Sequence, residues 1–426
     1  MKAVILSIGD ELILGQTVDS NSAWLSAQLS DRGVIPLYHK TVADDIQATV
    51  SAMKEACEVA DVVISTGGLG PTADDLTRQS MAALINRPLD LHPPSLDRIK
   101  AFFKTLNRDM PVSNRIQAMV PRGSDVLDNE WGTAPGIKVK MGKAVLFAFP
   151  GVPREMMKMA ERYVLPLFEH GVGHALASEA LHTFGAGEST VAEKLGDIMR
   201  RDRNPLVGTT VSGGIVTIRI RSEAPTPLLA QKKLIQTVSE VKTRLGNLFF
   251  GRGSETLSDK VAELCSETRT TLAVAESCTG GLVSKILTDI PGSSTWFAGG
   301  WVTYSNEMKT HELGVSASVI ENEGAVSEAV VCAMAKGALE KSGASMAVAL
   351  TGIAGPGGET PEKPVGTVWI GLAIRNEGEC LVLAQKFQFP GTRQMIRDLA
   401  AKTAVNWLRL ELVKCQQARI LAETGK

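Results

Sequence analysis

The stretch AVAESCTGGLVSKIL, Ala273 to Leu287, sets a serine, a cysteine and a threonine side by side ahead of two glycines and an apolar run with helical spacing. A β-rich run precedes it, so Ser277 is expected at the C-terminal end of a strand and Gly280-Gly281 at the start of a helix. Strand-turn-helix junctions of this kind are favoured ligand positions in α/β sheets. Two kinds of chemistry are open there. Helix N–H groups can hold an anion such as phosphate, and a serine hydroxyl on the turn can attack a carbonyl carbon if a base lies nearby. The plainer alternative is that Ser277 or Thr279 only caps the helix. Three further segments end β-rich runs in polar, small or glycine-rich residues: VTYSNEMK with Tyr304 and Lys309, ALTGIAGPGG with Thr351, and FPGTRQMIR with Arg393 and Arg397. Several such strand ends converging make a site. Taken singly, Tyr304 could be core, Lys309 a solvated charge and Arg397 a structural helix charge.

A second constellation is STGGLGPTADDLT, Ser65 to Thr77, directly after the apolar DVVI and before a helical pattern. Backbone N–H groups of a turn containing Gly67, Gly68 and Gly70 can hold phosphate, and Asp74 or Asp75 can bring a divalent cation. Asp75 could equally be a helix N-terminal charge, and Asp44 and Asp45 could simply begin the next helix.

The elements that must position these residues are readable from periodicity. KAVILSI, then helix from Asn21 to Arg32, VIPLYHK, helix from Ile46 to Val59, ADVVISTGG and helix from Asp75 to Leu84 alternate as in a parallel sheet wrapped by helices. KAVLFAFPGVPREMM reads as strand, turn and closing helix, and a boundary falls near Gly171 to Ala175. From Glu179 to Gly251 the order changes: strand ALHTFGA, helix from Ser189 to Met199, paired strands LVGTTVS and GIVTIRIRSE, and helix from Pro227 to Leu245. From about Thr256 alternation resumes: a helix to Ser266, TTLAVAE, a helix from Gly281 to Asp289, GGWVTYS, SMAVALTG, PVGTVWIGLAI, CLVLAQKFQF and a long helix from Thr392. The expected fold class is α/β, in three domains at 1–170, 176–251 and 256–416.

Lys and Arg number 45 against 46 Asp and Glu, for a net charge of −1, so no global basic field recruits nucleic acid. The short basic MRRDRN at Met199 to Asn204 reads as a solvated helix end. Asp10 and Glu11 interrupt the N-terminal apolar run before a signal-peptide core could form, and no apolar stretch is long enough to span a bilayer, so a cytoplasmic protein without a membrane partner is expected. The 6 cysteines form no CxxC pair, which points to neither a zinc site nor a disulfide framework.

AESCTGG, GSSTWFAGGWVTYSNEMK, GAVSE, TGIAGPGG, KPVGTVWIGLA and GTRQMIRDLA, in that order, closely resemble the nicotinamide-nucleotide amidase family over Ser258 to Leu410. The resemblance implies hydrolysis of the carboxamide of nicotinamide mononucleotide to nicotinate mononucleotide and ammonia, with no metal. It implies Ser277 as nucleophile, Lys309 as its base with Tyr304 assisting, and Thr351 with Gly352 near the oxyanion. Arg393 would meet the substrate's phosphate or carboxamide side, and Thr279, Gly280, Gly281 and Arg397 would bind substrate. Cys278 is a rival nucleophile, intrinsically better than an unactivated serine, although its place one residue further along the turn aims it elsewhere.

SIGDELILGQTVDSNSAWLSAQL, TVADD, STGGLGPTADDLT, NEWGTAPGI and FPGVPREM resemble the N-terminal domain of the CinA family, itself similar to molybdopterin-binding domains of molybdenum cofactor biosynthesis. The middle segment resembles that family's KH-like insert, though VSGGIV looks like a hairpin turn and not an RNA clamp. The expectation is therefore a three-layer molybdopterin-binding-like domain, a small α+β KH-like module and a C-terminal α/β amidase domain. The family implies ADP-ribose pyrophosphatase activity in the first domain, with a divalent metal (Mg or Co) and potassium. Asp10, Asp44 and Asp74 are the candidate metal ligands and Asp75 the candidate catalytic carboxylate. Asn21, Gly67, Gly68, Gly70, Thr72, Thr77 and Thr133 are the candidate binding residues. The expected partners are small nucleotides and a second copy of the chain as a homodimer. Two alternatives stand beside this: a molybdopterin-binding domain fused to the amidase, and a non-enzymatic competence or DNA-damage accessory protein.

Overall fold

The computed structural model of the 426-residue chain describes residues 1–168, 175–376 and 379–424. The expected boundary at Gly171 to Ala175 falls almost wholly outside them. Two compact units divide the chain, Met1–Ala177 with Ser222–Lys232 and Ser178–Arg221 with Lys233–Lys426.

In the first unit β1 (Lys2–Ile8) leads through α1 (Asp10–Ile13) into α2 (Ser20–Asp31), β2 (Ile35–Val42) into α3 (Ile46–Val59), and β3 (Val62–Thr66) into α4 (Thr77–Leu84). The ribbon of β4 (Leu89–Leu91) and β5 (Met119–Pro121) brackets α5 (Pro93–Thr105). Then β6 (Asp125–Leu127), β7 (Gly136–Met141) and β8 (Ala144–Phe149) return to the sheet, followed by α6 (Pro153–Tyr163). The sheet order is β2-β1-β3-β8-β7-β6, with β2, β1, β3 and β8 pairing in parallel and the β8–β7 and β7–β6 pairings antiparallel, so that β7 alone runs against the others. β1 is apolar at almost every position because helices cover both faces. Val4, Leu6 and Ile8 pack with Met53 and Ala56 of α3 and Met81 of α4. The alternate residues Ala3 and Ile5 pack with Leu25 and Leu29 of α2 and Met156 and Met159 of α6. β1 is followed in chain order by β2 on one side, and β3 lies on the other. The strand order thus reverses between β1 and β3, where α/β sheets open a crevice at their C-terminal ends.

The middle segment forms β9 (Ala175–Phe184), α7 (Glu188–Leu195), β10 (Leu206–Ser212), β11 (Ile215–Ala224), α8 (Pro227–Leu245) and β12 (Phe249–Arg252), in sheet order β10-β11-β9-β12. VSGGIV is the hairpin turn it resembles, with Gly213 and Gly214 at φ 54° and 82°. The expected helix to Met199 stops at Leu195, because Gly196 takes φ 50° and the chain tightens into a 3-10 turn.

The last segment runs α9 (Leu257–Thr268), β13 (Leu272–Glu276), α10 (Leu282–Thr288), β14 (Phe297–Val302), α11 (Asn306–Leu313), α12 (Ala317–Glu323), α13 (Glu328–Ser342), β15 (Met346–Gly352), β16 (Thr367–Asn376), β17 (Glu379–Gln388) and α14 (Arg393–Thr424). Its sheet, β14-β13-β15-β16-β17, is parallel over the first three strands and antiparallel over the last two. Side-chain size along β13 and β15 assigns the faces. Ala273, Ala275, Ala347 and Ala349 admit α13 closely, whereas Leu272, Val274, Val348 and Leu350 fill the side covered by α9 and α14.

Candidate functional site

Because β13, β14 and β15 are parallel, Ser277, Tyr304 and Thr351 all emerge at the same edge of the C-terminal sheet. Ser277 leaves β13 with its N–H donating to Leu350 O at 3.0 Å, and Gly280 N closes the turn on Ser277 O at 3.1 Å. Gly280 and Gly281 take φ 59° and 92°, a left-handed pair that side chains rarely adopt, and this is what joins strand to helix so abruptly. The turn is held from two sides. On one side Glu276, completely buried, accepts through Oε2 from Gly281 N and Val283 N, both at 3.0 Å, and through Oε1 from Ser284 N and Ser284 Oγ, both at 2.8 Å. Its carboxylate therefore caps α10 from the strand. On the other side Arg397 of α14 donates from Nε to Cys278 O at 3.1 Å and from Nη2 to Thr279 O at 2.7 Å. Glu276 was not among the sequence-derived candidates. Its only signal is a carboxylate as the last residue of an apolar strand, eight residues before Ser284.

Neither Ser277 nor Thr279 caps α10. Among the described residues the Ser277 hydroxyl makes no hydrogen bond, and the buried Thr279 hydroxyl is unpartnered. Cys278 is 6% exposed, and burial pushes its thiol up to about 12. Such a sulfur carries almost no thiolate at neutral pH, which disfavours it as the nucleophile.

Lys309, on α11, is 1% exposed, so it is not a solvated charge. Its Nζ donates to Thr303 O at 3.0 Å and to Tyr304 O and Ser305 O at 3.4 Å each, and not to Ser277. Burial pulls the Lys309 ammonium below its usual range. Tyr304 is exposed, not core, and its hydroxyl accepts from Arg393 Nη2 at 2.9 Å while Arg393 Nη1 donates to Gly355 O at 2.6 Å. The structure thus brings Ser277, Thr279, Gly280, Gly281 and Arg397 together in one turn, with Tyr304 paired to Arg393. Thr351 departs from the expected oxyanion role: its hydroxyl donates to Ala325 O at 2.7 Å, fastening the loop ahead of α13. Gly352 sits in the β15–β16 ladder opposite Val368.

The first unit holds a cavity of about 490 Å³ at the C-terminal ends of β1, β3 and β8. Asn21, Gly67, Gly68, Gly70, Asp44, Asp74, Asp75 and Thr133 line it, as expected, together with Glu11, Asp19 and Glu155. Asn21 stitches two of the strand ends, donating from Nδ2 to Thr66 Oγ1 at 3.0 Å and Gly151 O at 2.8 Å, while its buried Oδ1 has no partner. Several expected ligand groups are instead used within the glycine-rich loop. Asp75 accepts from Gly70 N at 2.6 Å, from Thr72 N at 2.8 Å and from Thr72 Oγ1. Thr77 Oγ1 donates to Gly67 O at 2.7 Å. Arg78, missed by the sequence reading, is 1% exposed and clamps Leu69 O and Gly70 O at 2.6 and 2.7 Å.

Asp10 and Asp44 hold one another through backbone donors: Asp10 N to Asp44 Oδ2 at 2.9 Å and Asp44 N to Asp10 Oδ1 at 3.2 Å. Desolvation, opposed by the hydrogen bond from Asp10 N and aided by the charges of Asp10, Glu11 and Asp74, pushes the Asp44 carboxyl up. Asp45, not Asp44, caps α3, accepting from Ala48 N at 2.8 Å. Oxygen donors repelling one another in this way fit a hard divalent cation. Among the described residues, no three His, Cys, Asp or Glu side chains already converge as a ligand set, so such a cation would draw Asp44 and Asp74 together and complete its shell with water or substrate. No helix among the described residues is long and apolar enough to cross a membrane.

Fold and site define a chain with a three-layer domain of the molybdopterin-binding type, a small KH-like module and a second α/β domain with its own strand-end site. Comparison with known proteins agrees: residues 4–170 match the probable molybdopterin binding domain, 178–251 the damage-inducible protein CinA KH domain and 254–412 the CinA C-terminal domain. A CinA-like protein of Dictyoglomus thermophilum is 40% identical over 416 residues, 97% of this chain and 100% of that protein. A CinA-like protein of Kosmotoga olearia is 38% identical over 414 residues, 97% of this chain and 99% of its own length. The chain belongs to the CinA family. Among solved structures, a CinA superfamily protein of Klebsiella pneumoniae is 34% identical, covering 37% of this chain and 96% of its own, with a TM-score of 0.35.

Proposed function

We propose that the C-terminal domain hydrolyses the carboxamide of nicotinamide mononucleotide and that the N-terminal domain cleaves ADP-ribose to AMP and ribose 5-phosphate with a divalent cation. The observation that carries the first part is the unpartnered Ser277 hydroxyl on a turn fixed by Glu276 and Arg397. Amide hydrolysis needs a nucleophile, a proton shuttle and donors for the oxyanion. Ser277 Oγ attacks the carboxamide carbon. The N–H groups of Cys278 and Thr279, which donate to no backbone acceptor among the described residues, receive the oxyanion in place of the Thr351 hydroxyl; the N–H after the nucleophile does so on other strand-to-helix turns. Lys309, once released from a backbone carbonyl, takes the serine proton as a free amine and passes it to the departing ammonia. Water then hydrolyses the ester on Ser277, giving nicotinate mononucleotide. Arg393, exposed and paired to Tyr304, meets the substrate phosphate.

For the first domain, the supporting observation is electrostatic. Among the described residues the cavity is lined by Glu11, Asp19, Asp44, Asp74, Asp75 and Glu155, and by no Lys, Arg or His. A diphosphate enters such a wall only with its charge neutralised, and a bound divalent cation held by Asp44 and Asp74 would supply that neutralisation and polarise the phosphate. Asn21 and the glycine-rich loop orient the ligand, and Asp75 with Arg78 keeps that loop in shape. The same carboxylates and the free Asn21 Oδ1 also suit the N–H donors of a pterin, which favours molybdopterin binding as the second reading.

Purified protein incubated separately with nicotinamide mononucleotide without metal, and with ADP-ribose plus magnesium or cobalt and potassium, tests both parts by product identification. Nicotinate mononucleotide with ammonia is expected from the first and AMP with ribose 5-phosphate from the second. Unchanged nicotinamide mononucleotide rejects the amidase, and unchanged ADP-ribose with tight pterin binding selects the second reading.

A further inference from the structure

We propose that Glu155 is the proton acceptor for the attacking water in the N-terminal cavity. The inference rests on the ADP-ribose reading and adds to it a residue that no motif in the glycine-rich loop announces. Glu155 stands in the first turn of α6, beyond the end of β8, and lines the same cavity as Asp44 and Asp74. A dedicated support holds it there. Asn129, 3% exposed, accepts from Trp131 N at 3.0 Å and donates from Nδ2 both to Ala134 O at 2.9 Å and to Glu155 Oε2 at 2.6 Å. The carboxylate lies so tightly over Gly132 that a Cβ there would sit 2.0 Å from Oε2. One oxygen is thereby fixed, and Oε1 has no hydrogen-bond partner among the described residues.

Burial pushes the Glu155 carboxyl above its usual range, the Asn129 hydrogen bond opposes this, and no charged neighbour contributes. A carboxylate that is half-buried, oriented through one oxygen and unpaired on the other is a better base than a fully solvated one. Asp75 cannot compete for this role, since it already accepts three hydrogen bonds inside its loop. In the step proposed, a water oxygen bonds to one phosphorus of ADP-ribose as Glu155 takes the water's proton. The bond from that phosphorus to the bridging oxygen breaks, the electron pair leaves with that oxygen on the other phosphate, and Glu155 releases its proton to solvent.

The competing explanation is that Glu155 only anchors the 129–134 loop through Asn129. Glu155→Gln separates the two, because the amide oxygen can still accept from Asn129 while the basicity is gone. With full-length protein, magnesium and potassium, kcat for ADP-ribose is expected to fall by ~10² or more, the range of a lost general base. KM, the calorimetric Kd for ADP-ribose and the melting temperature should hold, and Glu155→Asp should recover part of the rate. Glu155→Gln turnover close to wild type, or a loss seen wholly in KM and Kd, overturns the proposal while leaving the ADP-ribose reading in place. Failure of the wild-type chain to cleave ADP-ribose overturns both.

Discussion

Glu276→Gln is the sharpest structural perturbation of the C-terminal site. The native carboxylate is 0% exposed and accepts four hydrogen bonds, two on each oxygen. Glutamine keeps one acceptor oxygen, which can serve one of those pairs. Its amide group then faces the other pair, either Gly281 N and Val283 N or Ser284 N and Ser284 Oγ. Hydrogen bonds to an ionised group contribute ~1.5–3 kcal/mol each, so losing two costs about 3–6 kcal/mol. At ~2–4 °C per kcal/mol for a domain of this size, the melting transition of the unit should fall by roughly 10 °C. The assay is scanning calorimetry of the full chain, with wild type and Glu276→Gln run side by side. Because the same hydrogen bonds fix the turn that carries Ser277, kcat for nicotinamide mononucleotide should drop more than KM rises. Transitions that stay within ~1 °C of wild type would refute the reasoning that Glu276 holds the turn.

Three other outcomes are expected. Iodoacetamide at pH 8 should label exposed Cys380 in the native protein and leave Cys278 unmodified, since a thiol pushed up to about 12 is only ~10⁻⁴ thiolate there; peptide mass spectrometry reads this, and labelled Cys278 would contradict it. Asp44→Asn should raise the melting temperature at pH 7 in the absence of divalent cation. A carboxyl whose folded pKa is raised contributes stability present below its unfolded pKa of 3.8 and lost as pH rises through the folded value, so the gain should vanish on acidification below 3.8; a gain equally large in acid would contradict the repulsion. Asp75→Asn should lower stability by about 1–2 kcal/mol and raise KM for ADP-ribose, because Asp75 anchors Gly70 and Thr72; an unchanged denaturation midpoint with abolished kcat would restore a catalytic role for it.

Much of this architecture is legible in the chain. The bounds Ile46 to Val59 and Pro227 to Leu245 are readable to the residue from periodicity and flanking Asp or Pro. The helices between GGWVTYS and SMAVALTG were not, because α13 is rich in Ala, Gly and Val on all sides and gives little amphipathic contrast. At the sites, sequence places the strand-end residues but not how their hydrogen bonds are distributed. Thr351, Thr77 and Asp75 look available as isolated residues, yet their oxygens are occupied within the fold. Glu276 and Glu155 look like an ordinary strand end and helix first turn, and only burial and their partners set them apart.

The account turns on Ser277, and the most direct measurement is the rate of ammonia release from nicotinamide mononucleotide by Ser277→Ala beside wild type and Cys278→Ala. Ser277→Ala should lose ~10³-fold or more in kcat, as when a covalent nucleophile is removed, while Cys278→Ala stays within about tenfold of wild type. Retained activity in Ser277→Ala, with activity lost in Cys278→Ala, would contradict the assignment of the turn's hydroxyl as the attacking group.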